Sequence, residues 1–171
     1  MHLTVNGPNG AITVQDLVQV AGVDHNLTLR GANALATVRN VTGNVDVSHG
    51  VATVTGVIGG KVDITGNGQL VGGAATNVAG DVKINTDGLV SAINNAAANV
   101  TVQKGELTMV GATSAAHAVE VSGGILNATG LLAGTLDVKG TGQFVGAAGT
   151  DVAGVVIINT SPFSILLEAM S

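Results

Sequence analysis

The chain has 171 residues, of which 46% are apolar and only 10% charged, with a formal net charge of −5. Six Lys and Arg and no Trp or Tyr exclude a nucleic-acid groove, which needs a basic patch and stacking aromatics. The lack of Cys excludes disulfides and thiolate metal sites, and no run of about 18 apolar residues is present to cross a bilayer as a helix.

Met1-His2-Leu3 leads directly into strand-like sequence, without the basic start and apolar run of a signal peptide. Short triplets then follow along the chain: Leu27-Thr28-Leu29, Val45-Asp46-Val47, Val62-Asp63-Ile64, Val82-Lys83-Ile84, Val100-Thr101-Val102, Val119-Glu120-Val121 and Leu136-Asp137-Val138. Each sets a polar residue between two apolar ones, the period of a half-buried strand. Gly, Asn or Thr-Gly follows within a few residues, which is turn chemistry. Strands begin about every nine residues, so two strands per coil predict about 18 residues per turn and about nine coils. Only Leu89–Asn99 and the tail around Phe163–Met170 have a composition that suits a turn or two of helix.

A longer repeat overlies the short one. Lys61–Thr86, "KVDITGNGQLVGGAATNVAGDVKINT", returns as Thr135–Thr160, "TLDVKGTGQFVGAAGTDVAGVVIINT", with 15 of 26 positions identical. "VDVSHG" from Val45 likewise returns as "VEVSGG" from Val119. Internal repetition with a period of about 74 residues, itself built of shorter units, marks a solenoid. The reading is therefore an all-β parallel β-solenoid (a β-helix) forming one domain over 1–171. One copy covers 12–85, a second covers 86–160, and 161–171 is an apolar cap or interface segment. A sandwich is disfavoured because its core normally uses larger side chains and longer strands.

The paired copies assign faces. Val62 and Ile64 pair with Leu136 and Val138 and point inward, while Asp63 pairs with Asp137 and points out. Val82 and Ile84 pair with Val156 and Ile158, again inward. Between them the outward residues change character: Asp81 becomes Val155 and Lys83 becomes Ile157. The tail "SPFSILLEAMS" becomes apolar at the same end. The expected interface is thus Val155 and Ile157 with Phe163, Ile165, Leu166, Leu167 and Met170, covered intramolecularly or by a neighbouring subunit. Neither end shows a charged cap, so end-to-end stacking into a homo-oligomer or polymer is expected.

Chemical motifs are weak. Lys83–Gly88, "KINTDG", places Asn85 and Asp87 ahead of a glycine as a calcium loop does, but Lys83 holds the first ligand position and no closing Glu follows. His2, His25, His49 and His117 fall at unrelated repeat positions and read as loop histidines. The carboxylates at 46/120 and 63/137 are repeat partners four coils apart, about 19 Å, too far for a glycosidase pair. No catalytic, cofactor or metal residues are assigned, and the chain reads as a non-enzyme. Asn26, Asn40, Asn99 and Asn127 begin Asn-x-Thr sequons, and outward Asn and Thr suit ladders between coils.

The Val/Thr/Asn/Gly/Ala texture, the lack of Cys and phrases such as "VTGNVDVSHGVATVTGVIGG" resemble bacterial autotransporter and filamentous-haemagglutinin-type surface proteins, notably passenger repeats of rickettsial outer-membrane surface antigens. The resemblance implies a β-helix at the cell surface or outside the cell, acting as an adhesin, spacer rod or filament subunit with a host-cell or matrix receptor. It transfers no catalytic residues, and the chain shows neither a translocator barrel nor a terminal aromatic. A viral tail-fibre or spike segment and a cytoskeletal polymer of the bactofilin type are the alternatives.

Overall fold

In the computed structural model, residues 2–5, 11–14, 26–113 and 117–160 are described. Their strands, all parallel, stack as successive rungs. The first coil holds His2–Val5 and Ala11–Val14, and the second Asn26–Leu29 and Leu35–Val38. Coils three to six each carry one long strand bent around a corner: Val45–Val54, Val62–Val71, Val82–Ile93 and Val100–Met109. Short strands at Asn77–Val78 and Asn95–Ala96 complete the fourth and fifth coils. The seventh coil holds Val119–Val121, Ile125–Ala128 and Leu131–Leu132, and the eighth Leu136–Gly140, Gln143–Gly146 and Asp151–Val152. Val156–Thr160 begins the ninth.

The pairing explains the long repeat. The registered first residues of coils three to seven are Val45, Val62, Val82, Val100 and Val119, and no two consecutive steps between them are equal. Four coils of unequal length therefore make one repeat. The next two steps, Val119 to Leu136 and Leu136 to Val156, reproduce Val45 to Val62 and Val62 to Val82.

Each coil has three sides rather than two. Face A carries the apolar–polar–apolar triplets, and face B the segments 35–38, 51–54, 69–71, 90–93, 106–109, 125–128 and 143–146. Face C is only one or two residues wide, with Val41, Ile58 and Val78 stacked by bridges and Ala96, Thr113, Leu132 and Val152 continuing the series. A single inward residue followed by Gly or Ala leaves no alternation to read, so this side does not announce itself as a strand.

Inward side chains form columns along the rod. On face A, Val62, Ile64, Val82 and Ile84 are all at most 1% exposed, as their repeat pairing predicts. On face B the column runs Ala36, Ala52, Leu70, Ser91, Leu107 and Leu126, all essentially inaccessible. Burial of aliphatic side chains at about 25 cal/mol per Å² supplies the driving force, and at the eighth coil Phe144 extends the face-B column, in register with Leu126 and partly buried against the core. Val156, inward by register, is 48% exposed because no further described coil stacks on it.

Leu89–Asn99 is not helical. Leu89–Ile93 completes the strand Val82–Ile93, and Asn95–Ala96 lies on face C. Its Ala-rich composition suits a helix, but Ser91 and Ile93 are fixed between neighbouring coils at 0% and 1% exposure. Tertiary stacking overrides local propensity there.

The corners repeat with the coils. Thr76 is fully buried; its Oγ1 donates to the Val54 carbonyl at 2.7 Å and accepts the Gly73 N–H. Its repeat partner Thr150 donates to the Ala128 carbonyl at 2.6 Å. Gly66 and Gly140, also repeat partners, adopt φ of 55° and 61°, where a side chain would be strained.

Candidate interaction surfaces

The outward side of face A is charged. Register places Asp46, Asp63, Lys83, Thr101, Glu120, Asp137 and Ile157 in one column, each on the next coil. The carboxylates that matter to one another are therefore in adjacent coils, Asp46 with Asp63 and Glu120 with Asp137, about 4.8 Å apart in the rung direction. The equal spacing of the two pairs along the sequence carries this information. Positions matched across the long repeat do not.

The two pairs are balanced differently. In the second copy, Lys139 Nζ lies 2.9 Å from Glu120 and 3.8 Å from Asp137. Its hydrogen bond to Glu120, reinforced by Asp137, raises the lysine pKa. In the first copy the lysine position is Thr65, and partial burial together with the Asp63 charge raises the Asp46 pKa, opposed by Arg30. Asp63 Oδ1 is inaccessible and has no hydrogen-bond partner among the described residues.

Face B is different in kind. Its outward positions include Leu35, Val51, Gln69, Val90, Ile125 and Gln143 in one column, and Thr37, Thr53, Val71, Ala92, Thr108 and Val145 in the other. Leu35, Val71, Val90 and Val145 are between 37% and 51% exposed. The one charge in these columns, Glu106, accepts a hydrogen bond from Asn127 Nδ2. A charge-poor β-face rich in Val and Thr thus runs from the second coil to the eighth. A shallow hollow lined by Thr53, Thr55, Val71, Gly72, Gly73 and Ala75 lies at its edge.

The corner between faces C and A carries a polar ladder. Asn26 Oδ1 accepts the Asn44 N–H at 2.7 Å, and Asn44 Oδ1 accepts the Lys61 N–H at 2.9 Å. Lys61 pairs with Asp81 at 3.3 Å, Asp81 Oδ1 accepts the Asn99 N–H, and Asn99 Oδ1 accepts the Ala118 N–H. These contacts, led by Lys61, hold the Asp81 carboxyl below the usual carboxylate range. Asn40 Oδ1 serves another corner, accepting the Val57 N–H at 2.8 Å. The sequon asparagines Asn26, Asn40 and Asn99 thus bond successive coils together.

No family model, curated protein or solved structure matches this chain.

Lys83–Gly88 lies within the strand Val82–Ile93, and Asp87 pairs with Lys104 of the next coil. Among the described residues no three His, Cys, Asp or Glu side chains come together as a metal site. His2 opens the first coil, His49 is on a strand opposite Asn67, His117 stands just ahead of the seventh coil, and His25 lies outside the described residues. Among the described residues no helix is long and apolar enough to cross a membrane. Val155 and Ile157 stand on the ninth coil, 64% and 47% exposed. Their expected partners Phe163, Ile165, Leu166, Leu167 and Met170 lie outside the described residues.

Proposed function

We propose that the chain is a non-enzymatic structural rod of a bacterial surface or extracellular protein, serving as a spacer and adhesin through face B. The observation that carries this reading is the contrast between the two long faces. Face A carries a column of charged side chains, while face B is a band of half-exposed Leu, Val, Ile and Thr. Exposed apolar area rimmed by polar residues is the ordinary basis of protein–protein contact. Unlike a mobile loop, a β-face on a stacked core is already ordered, so little conformational entropy is lost on contact. The surface-protein resemblance of the sequence supports the same reading.

The test is adsorption of the purified chain to surfaces coated with extracellular-matrix proteins. The triple variant Leu35→Lys, Val71→Lys, Val90→Lys changes only exposed positions and is expected to retain the circular-dichroism spectrum of the parent while losing adsorption. Equal adsorption of parent and variant, or none by either, would remove face B from the proposal.

A further inference from the structure

The two ends of the stack complement each other. Among the described strands, His2–Val5 pairs only with Asn26–Leu29, and Val156–Thr160 only with Leu136–Gly140. Each therefore has one edge that no described strand occupies. Unfilled parallel edges with strand-forming residues are templates for another strand.

The repeat says what kind of strand fits the ninth coil. Val156 and Ile158 correspond to Val82 and Ile84 of the fifth coil. The fifth coil is followed by Val100-Thr101-Val102, with Val82 opposite Val100 and Ile84 opposite Val102. The strand wanted is thus apolar–Thr–apolar. Leu3-Thr4-Val5 has this pattern and already pairs in that way within the fold, lying in register with Leu27-Thr28-Leu29.

Backbone polarity agrees. In every coil from the second to the eighth, the N–H of the first inward residue donates to the carbonyl that precedes the corresponding residue of the next coil. Examples are Val82 to Asn99 at 2.8 Å, Val100 to Ala118 at 3.0 Å and Leu136 to Val155 at 2.9 Å. The ninth coil brings the Val156 N–H to this position, and the carbonyl that precedes Leu3 is that of His2.

Building on the rod reading, we propose that a second copy of this chain docks head to tail, its strand His2–Val5 adding to Val156–Thr160 as the next rung. Val156 pairs with Leu3, Ile157 with Thr4 and Ile158 with Val5, and the Val156 N–H donates to the His2 carbonyl. The replacement of the charged Lys83 by Ile157 at this rung removes a charge from the junction between subunits and leaves an apolar contact in its place. Repetition of the contact gives an open filament, since a head-to-tail interface does not close on itself without rotation.

The chain has no Cys, so an engineered pair reports the contact cleanly. Thr4 is exposed and Ile157 is 47% exposed, and within one chain the eight rung steps between them span about 38 Å. A disulfide needs Cα atoms within about 7 Å, so Thr4→Cys with Ile157→Cys can link only different molecules. Under mild oxidation the double variant is expected to shift from a monomer band to a reducible ladder of multiples, while Thr4→Cys with Lys83→Cys stays monomeric. Small-angle scattering on the same unoxidised samples separates failure of the docking from failure of the rod. A rod one chain long with no ladder overturns the docking and leaves the rod intact; a compact, non-elongated particle overturns both. Equal cross-linking of the two double variants also overturns the docking.

Discussion

Gly68 sits at the corner between faces A and B, where the fourth coil lies tightly against the third. A Cβ there would lie 2.2 Å from the Val47 carbonyl oxygen and 2.8 Å from its carbon. Ordinary carbon–oxygen contact is about 3.3 Å, so the overlap is about 1 Å, and the obstructing atoms are backbone rather than a side chain that can swing away. Gly68→Ala must therefore separate the third and fourth coils locally. Overpacking costs about 1–3 kcal/mol, and loosening one or two rung hydrogen bonds adds about 1 kcal/mol each, which makes about 4 kcal/mol. In urea, with a slope of about 2 kcal/mol per M, the midpoint should fall by about 2 M. Gly73 is the matched control, because a Cβ there meets nothing within 4 Å. Gly73→Ala should stabilise by about 0.4–1 kcal/mol through loss of unfolded-state entropy. Midpoints for the two variants within about 0.5 M of each other would show that the coils do not close on this corner as described.

Further outcomes follow from the same geometry. Leu107→Ala opens a cavity between Ser91 and Leu126 in a fully buried column; it should cost about 3 kcal/mol and lower Tm by roughly 6–12 °C by calorimetry. Asn44→Ala removes the acceptor of the Lys61 N–H and should destabilise by about 1 kcal/mol, seen locally as faster hydrogen exchange at the Lys61 amide. Asp46→Asn should raise Tm at pH 7. The raised pKa of Asp46, from partial burial and then from Asp63, means that its charged form is disfavoured in the fold. That cost is present above the raised pKa and vanishes as pH falls below the ordinary aspartate value of about 3.9, so the gain should disappear over the same window.

What can be read from the sequence depends on how many residues each side of the coil spends. Face A spends three, and Val62-Asp63-Ile64 alternates clearly enough to orient every side chain. Face C spends one inward residue, such as Ile58 before Gly59-Gly60, and no periodicity can register a single position. Leu89–Asn99 reads as a helical candidate because Ala and Asn carry no β signal of their own; Ser91 and Ile93 are strand residues only because Leu70 and Leu107 lie on either side of the first and Met109 beside the second. The acidic pairs are hidden by the long period, which aligns partners four coils apart while the true neighbours, Asp46 with Asp63 and Glu120 with Asp137, stand one coil away. The asparagine ladder is foreseeable as a type of interaction, but its members cannot be named until the unequal coil lengths fix which residue follows which. Val155 and Ile157 stand out in the sequence because the two copies can be subtracted, and the ninth coil leaves both exposed.

The backbone hydrogen bonds between rungs run along the rod, some donated to the following coil, as Val82 to Asn99, and others to the preceding one, as Ala97 to Val78. Tension applied along the axis then loads a single rung at a time, as in opening a zip, instead of shearing many rungs together. A pulled rod should yield coil by coil from an end. Each release frees about 18 residues that extend to about 60 Å in place of one rung of about 4.8 Å. A chain built this way lengthens in small repeated steps under load, and as each released coil refolds onto the one beneath, it winds back in the reverse order.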